Sequence, residues 1–132
     1  MNERAKTVLF VCLHGAAKSV LAAADFERMA RQRGLGLRAG FAGTEPDSEI
    51  APRVLAELLA EGVDLRDQRP RRVTRADVDD AWRVVSFGCE LGDVAGPGVA
   101  VEQWDDVPAV SDDFRKARAA IDARLSKLLE DL

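Results

Sequence analysis

Thr7-Val8-Leu9-Phe10-Val11-Cys12-Leu13-His14-Gly15-Ala16-Ala17-Lys18-Ser19 is the stretch from which the architecture of this chain follows. Its first five residues form a continuous apolar run, as in a strand buried on both faces. The run stops at Cys12. A loop of mostly small residues follows and closes on a cation and a hydroxyl. From Ser19 to Arg33 the pattern is helical, and Gly34 and Gly36 end it. A thiol therefore stands at a strand-to-helix turn. Backbone N–H groups of such a loop converge at a helix N-terminus, which favours anions and the thiolate form of cysteine. This layout suits a thiolate nucleophile inside an oxyanion cradle.

The alternation continues downstream. Leu37 to Ala42 reads as a second strand, and Glu45-Pro46-Asp47 as a turn. Pro52 sits well at a first helical position, Val54, Leu55, Leu58 and Leu59 form one face, and Gly62 stops the helix. Thr74 and Asp77 have the spacing of an N-cap and a short helix before Trp82. Arg83 to Phe87 is a third strand with Gly88-Cys89 at its end, and Val99 to Val101 a short fourth. Ser111, Asp112 and Asp113 open the last helix, whose apolar stripe is Phe114, Ala117, Ile121, Leu125, Leu128 and Leu132. Such alternation predicts a parallel sheet covered by helices on both faces. Ligands in these folds bind at the carboxyl ends of the strands. Cys12 and Cys89 both follow strands, so both are expected on that rim.

The chain has 132 residues, read as one domain over residues 1–132 and long enough for a proper core. Apolar residues make up 47% and charged residues 32%, an ordinary globular balance. A net charge of −4 and a pI near 5.0, with no basic stripe, argue against a nucleic-acid partner. The basic cluster Arg69-Pro70-Arg71-Arg72 is short: a solvated loop or helix entry, or else a docking patch for an acidic partner. No apolar run approaches the ~18 residues of a membrane span, so no membrane partner is expected. Met1 to Lys6 lead straight into a strand with no signal-peptide core, which predicts a cytoplasmic protein. The two cysteines are then free thiols. One histidine and two separated cysteines do not supply a zinc set, and neither metal nor cofactor is expected.

Val8 to Ser19 resembles the phosphate loop of the low-molecular-weight protein tyrosine phosphatases and the related arsenate reductases. In that family a cysteine after the first strand is followed by five residues, an arginine, and a serine or threonine. Ala42-Gly43-Thr44-Glu45-Pro46 is similar to the second-strand motif. Glu61 to Leu65, Arg69 to Thr74, Val84 to Cys89 and Trp104-Asp105 look most like the arsenate reductase branch. The resemblance implies an α/β fold: a three-layer α/β/α arrangement with a four-stranded parallel sheet, flavodoxin-like and of the phosphotyrosine protein phosphatase I type.

Departures from the family pattern are specific. Lys18 replaces the arginine, giving a point charge where the family has a planar two-donor fork. Gly15 stands where many members have asparagine; both tolerate positive φ. The Asp-Pro general acid is missing: with Pro108 aligned to the family proline, Val107 takes the acid's place. The chain has no tyrosine, which leaves Trp104 and Phe41 as candidate aromatic walls. Residues 90–96 lack the third cysteine of thioredoxin-coupled arsenate reductases.

The resemblance assigns Cys12 as nucleophile, attacking phosphorus or arsenic. The N–H groups of Leu13, His14, Gly15, Ala16, Ala17 and Lys18, with the Lys18 ammonium, would hold the oxyanion. A cation at a helix N-terminus opposes the dipole, which itself points to an anionic ligand. Ser19 either hydrogen-bonds the Cys12 sulfur or is a plain N-terminal helix serine. His14 reads as a loop histidine satisfied by backbone rather than a base. Cys89 either resolves Cys12 as a disulfide, which requires α-carbons within about 7 Å, or is an inert buried thiol. Asp105 and Asp106 either protonate a leaving oxygen or are solvated loop acids. The presence of a second thiol and the missing acid tilt the reading toward thiol-dependent arsenate reduction, with a low-molecular-weight thiol or a redoxin as reductant. A phosphomonoester-hydrolysing phosphatase and a catalytically impaired oxyanion-binding regulator are the alternatives. The expected ligands are phosphate, arsenate or a phosphomonoester.

Overall fold

A computed structural model of the chain describes residues 6–96 and 98–131. The opening apolar run becomes β1 (Thr7–Cys12), followed by α1 (Lys18–Gln32), β2 (Arg38–Gly43), α2 (Pro52–Ala60) and α3 (Arg75–Asp80). Then come β3 (Arg83–Ser86), a 3-10 turn over Gly92–Val94, β4 (Val101–Gln103) and α4 (Phe114–Glu130). The four strands are parallel in the order β2-β1-β3-β4. This is the expected flavodoxin-like three-layer architecture. Register aligns Cys12 with Gly43 and Val11 with Ser86, so β1, β2 and β3 end together on one rim.

β1 divides its side chains between two cores. Val8, Phe10 and Cys12 face the layer made by α1, α2 and α4, together with Leu21, Phe26, Val54, Leu58, Ile121 and Leu125. Leu9 and Val11 face the opposite layer with Val73, Val78 and Val84. Each fully buried Leu, Val or Phe contributes about 1.5–3 kcal/mol. The α4 stripe from Phe114 to Leu128 is buried as expected, whereas Leu132 lies outside the described residues, as do residues 1–5. Thr74 and Asp77 form the anticipated capping box: the Thr74 hydroxyl accepts from the Asp77 N–H at 3.1 Å, and the Asp77 carboxylate from the Thr74 N–H at 2.9 Å. Among the described residues, no helix is long and apolar enough to cross a membrane.

The first helix and second strand are each shifted by one residue, to Lys18–Gln32 and Arg38–Gly43, and three further features near element ends differ from the sequence reading. The fourth strand lies at Val101–Gln103, not 99–101, because the Val99 N–H still closes the preceding turn onto the Gly96 carbonyl at 3.2 Å. The β3 ladder ends at Ser86, although Phe87 continues the pleat by donating its N–H to the Val11 carbonyl at 2.9 Å. Only Asp113 of the three residues before α4 caps it, its carboxylate accepting from the Lys116 N–H at 3.0 Å. Two arginines of the basic cluster are tied at the surface by hydrogen bonds within the chain. Arg71 forms a two-donor bridge to Asp77, and Arg72 donates to the Thr44 carbonyl.

Under α1 and α4 lies an ionic network. Asp25, 1% exposed, accepts from Arg118 Nε at 3.0 Å and Nη2 at 2.8 Å. Arg118 also reaches Glu61, 2.6 Å from its Nη1. Burial pushes the Asp25 carboxyl up, but the Arg118 hydrogen bonds and charge outweigh it, so Asp25 stays below the usual carboxylate range. Asp122 goes the other way: burial and the neighbouring Asp25 carboxylate raise it to about 7. The folded state therefore holds a proton on Asp122 that the unfolded chain, at 3.8, releases. That contribution to stability is complete below about pH 4 and is lost as pH rises through about 7. Asp122→Asn keeps a donor toward Asp25 without the titration. Its stability relative to wild type is expected to improve between pH 5 and 8 in urea unfolding. A constant difference across that range would contradict the shared proton.

Candidate active site

β1 lies between β2 and β3, so the chain's path reverses at its carboxyl end, where folds of this kind open a crevice. A cavity of about 530 Å³ opens there. Its floor is the 12–18 loop; its walls are Asp47 and Ala51 to Arg53 on one side, and Phe87 with Ala109 to Ser111 on the other.

The loop turns its carbonyls outward. The carbonyls of Cys12, Leu13, His14 and Ala16 accept from the N–H groups of Thr44, Glu45, Asp47 and Ala51, at 3.3, 2.7, 3.0 and 2.9 Å. No acceptor among the described residues meets the N–H groups of Leu13 to Lys18. A loop whose carbonyls are tied back in this way presents donors to the concave side, as an anion cradle requires. Helix α1 begins under it at Lys18 with no side-chain cap and no acid in its first turn.

Two glycines make this approach possible. Gly15 adopts φ +60, and a Cβ there would lie 2.7 Å from the Gly43 nitrogen and 2.9 Å from the Ala42 carbonyl carbon. A Cβ on Gly43 would meet the Gly15 nitrogen at 2.7 Å. Both contacts are with backbone and cannot yield. Gly15→Ala is expected to destabilise the protein by about 2 kcal/mol or more and to weaken phosphate binding at least tenfold, measured by urea unfolding and calorimetry. Near-wild-type values for both would contradict the close approach.

The Cys12 sulfur lies 3.0 Å from the Ser19 hydroxyl, and Ser19 is fully buried. Lys18 lines the cavity and donates from Nζ to the Val107 carbonyl at 2.9 Å. The ammonium has three donors, so this bond leaves two without an acceptor among the described residues. His14 is exposed, with Nδ1 3.2 Å from the Glu45 carbonyl and 3.4 Å from Asp47.

The remaining sequence candidates lie elsewhere. Cys89 is on the same rim, but it packs against the opposite core from Cys12, its Sγ 3.8 Å from the Val11 carbonyl. One peptide unit thus separates it from Cys12. Burial raises the Cys89 thiol, Ser86 partly offsets this, and the nearby Cys12 adds to the rise. Asp105 packs beside Gly88, and Asp106 is held at 2.6 Å by Arg124 of α4, which keeps its carboxyl below the usual range. Neither lines the cavity. Trp104 and Phe41 do not line it either. Trp104 is core, 6.0 Å from Phe10 and edge-on to Phe87 at 5.7 Å, and Phe41 packs beside the same core. The aromatic wall is Phe87. Strand parity could have found it, since Phe87 shares the sheet face of Val85, Phe10 and Cys12. Asp47, Arg53 and residues 109–111 were also missed; of these only Arg53, a cation in the first turn of α2, carried a signal.

A family model described as "Low molecular weight phosphotyrosine protein phosphatase" matches residues 7–90. No curated protein matches the chain. Among solved structures, the thioredoxin-dependent arsenate reductase of Corynebacterium glutamicum is 29% identical with a TM-score of 0.78. That alignment covers 99% of this chain, which spans only 63% of that protein. The arsenate reductase of Archaeoglobus fulgidus is 27% identical, TM-score 0.71, covering 93% of this chain and 98% of that one. The Erwinia amylovora tyrosine phosphatase AmsI shares the fold at 14% identity, TM-score 0.77, with 99% and 95% covered.

Proposed function

This chain belongs to the low-molecular-weight phosphotyrosine protein phosphatase family, and from that premise we propose that it is a cysteine-thiolate enzyme acting on a tetrahedral oxyanion, with thiol-dependent arsenate reduction as its reaction. The family model is named for phosphatases, and the structural neighbours include both phosphatases and arsenate reductases. In the proposed reaction the Cys12 thiolate attacks the arsenic of dihydrogen arsenate; the sulfur–arsenic bond forms, one arsenic–oxygen bond breaks, and that oxygen leaves as water with the substrate's own two protons. The N–H groups of residues 13–18 and Lys18 stabilise the charge on the remaining oxygens. The Cys89 thiolate then attacks the Cys12 sulfur. A sulfur–sulfur bond forms, the sulfur–arsenic bond breaks, and its electron pair stays with arsenic, which departs as arsenite. A low-molecular-weight thiol or a redoxin reduces the disulfide.

The observation that carries this choice is the Cys89 thiol, 3.8 Å from the Val11 carbonyl on the other side of the end of β1, together with a Cys12 cavity poor in acids. Among the described residues, Asp47 is the only carboxylate lining that cavity, and it sits beside His14. Phosphomonoester cleavage without a leaving-group acid forfeits roughly 10²–10⁴ in rate. Arsenate reduction needs a second thiol instead. For Cys89 to reach Cys12, the 88–91 turn must swing across the end of the sheet, and Gly88, at φ +81, is the natural pivot. Cys89→Ser is expected to lower arsenite production at least a hundredfold while phosphate binding persists. Full activity in that variant would remove Cys89 from the reaction. A second reading, phosphomonoester hydrolysis, is favoured by the room in the cavity. It requires Asp105 or Asp106 to re-aim, and predicts Cys12-dependent phosphate release from an aryl phosphate that falls when both acids are changed.

A further inference from the structure

We infer that Arg53 forms, beside the oxyanion cradle, a second subsite for the carboxylate of a small organic ligand. The inference rests on the proposed binding of an oxyanion by the Cys12 loop. Arg53 lines the same cavity as Cys12 and Lys18. Its guanidinium lies over the Phe114 ring, 4.7 Å from the centroid, and Glu57 accepts from its Nε at 3.1 Å. These two contacts hold the planar fork in place. Among the described residues no acceptor meets its Nη groups, so its two-donor edge is free. A guanidinium edge of this geometry matches a carboxylate.

The cavity's size points the same way. A five-atom oxyanion fills on the order of 100 Å³, roughly three waters' worth, while the cavity holds about 530 Å³. Much of the rest is walled by Ala51, Pro52, Phe87 and Val110, which suit an apolar body. The other charged group of that wall, Asp47, lies 3.4 Å from His14. The ligand that fits is therefore a compact organic molecule with a carboxylate at the Arg53 end. It is either the organic arm of a phosphomonoester or a carboxylate-bearing thiol that reduces the disulfide or the arsenic adduct.

Two arms separate these sources. In the first, Cys12→Ser protein is titrated by calorimetry with inorganic phosphate, phenyl phosphate, and the meta and para carboxyphenyl phosphates. One carboxyphenyl isomer is expected to bind about fivefold tighter than phenyl phosphate, and adding Arg53→Met to bring that ratio to about one. In the second, arsenate turnover is driven by glutathione or by uncharged 2-mercaptoethanol. Arg53→Met is expected to raise KM for glutathione about fivefold relative to 2-mercaptoethanol. A preference in the first arm assigns the phosphomonoester, and one in the second assigns the thiol. Phosphate binding without a carboxylate preference in either arm, or a preference that survives Arg53→Met, overturns the subsite and leaves the cradle standing. Failure of inorganic phosphate to bind overturns both.

Discussion

Cys12→Ser is expected to fold, to bind phosphate and, on the proposed function, to reduce arsenate at least a thousandfold more slowly than wild type. The change replaces one atom at a site whose partner, the Ser19 hydroxyl 3.0 Å away, can hydrogen-bond either group. The cradle is made of backbone, and Cys12 contributes to it only its own carbonyl, bonded to the Thr44 N–H. Shape is therefore kept while the nucleophile is lost: a serine hydroxyl without an adjacent base is a poor nucleophile at neutral pH. The assay is arsenite production under saturating thiol, with circular dichroism and phosphate calorimetry as controls for folding and binding. Retention of a tenth of the activity would mean that an external thiol attacks arsenate directly, with the loop acting only as a clamp.

Asp25→Ala is expected to lose about 3–5 kcal/mol of stability, the cost of stranding a buried partner. Arg118 is largely buried, and Asp25 supplies both of its inner contacts, at 3.0 and 2.8 Å. Glu61 remains, on the outer side of the guanidinium. The loss also removes the carboxylate that adds to burial in raising Asp122, so the stability decline between pH 4 and 7 should shrink in the same variant. Replacing Arg118 by Met in the Asp25→Ala background should recover part of the loss, because no charge is then left buried. Urea unfolding of the single and double variants measures both effects. A single-variant loss below about 1 kcal/mol would show that water reaches Arg118 and that the pair is a surface one.

What could be read before the structure was what repeats or clusters along the chain. The apolar run before Cys12, the small residues after it, the Thr74–Asp77 cap and the α4 stripe are local patterns, and each became the element it predicted. The rim shared by Cys12 and Cys89 followed from parallel topology. Which face each thiol takes did not: Cys89 lies beyond the end of the β3 ladder, after the Gly88 turn, where strand parity no longer applies. The Lys18–Val107 bond and the Asp25–Arg118 pair join residues 89 and 93 apart in sequence, and no pattern announces either. Trp104 drew attention as an aromatic near the expected acid loop, yet its size makes it core, and the smaller Phe87 is left at the cavity. Arg53 carried a signal that went unused. It is a cation in the first turn of α2, the same departure from the dipole rule that singled out Lys18.

Intact-mass analysis after a single turnover tests the central claim most directly. Reduced protein freed of small thiols is mixed with arsenate, quenched by acid, alkylated and weighed. Arsenate, and not phosphate, is expected to convert the chain to a form lighter by two hydrogens, with Cys12 and Cys89 joined in one disulfide-linked peptide. The same form should be absent from Cys12→Ser and Cys89→Ser. Both cysteines recovered alkylated with the arsenate unreduced, or a disulfide joining two chains in place of one between Cys12 and Cys89, would contradict it.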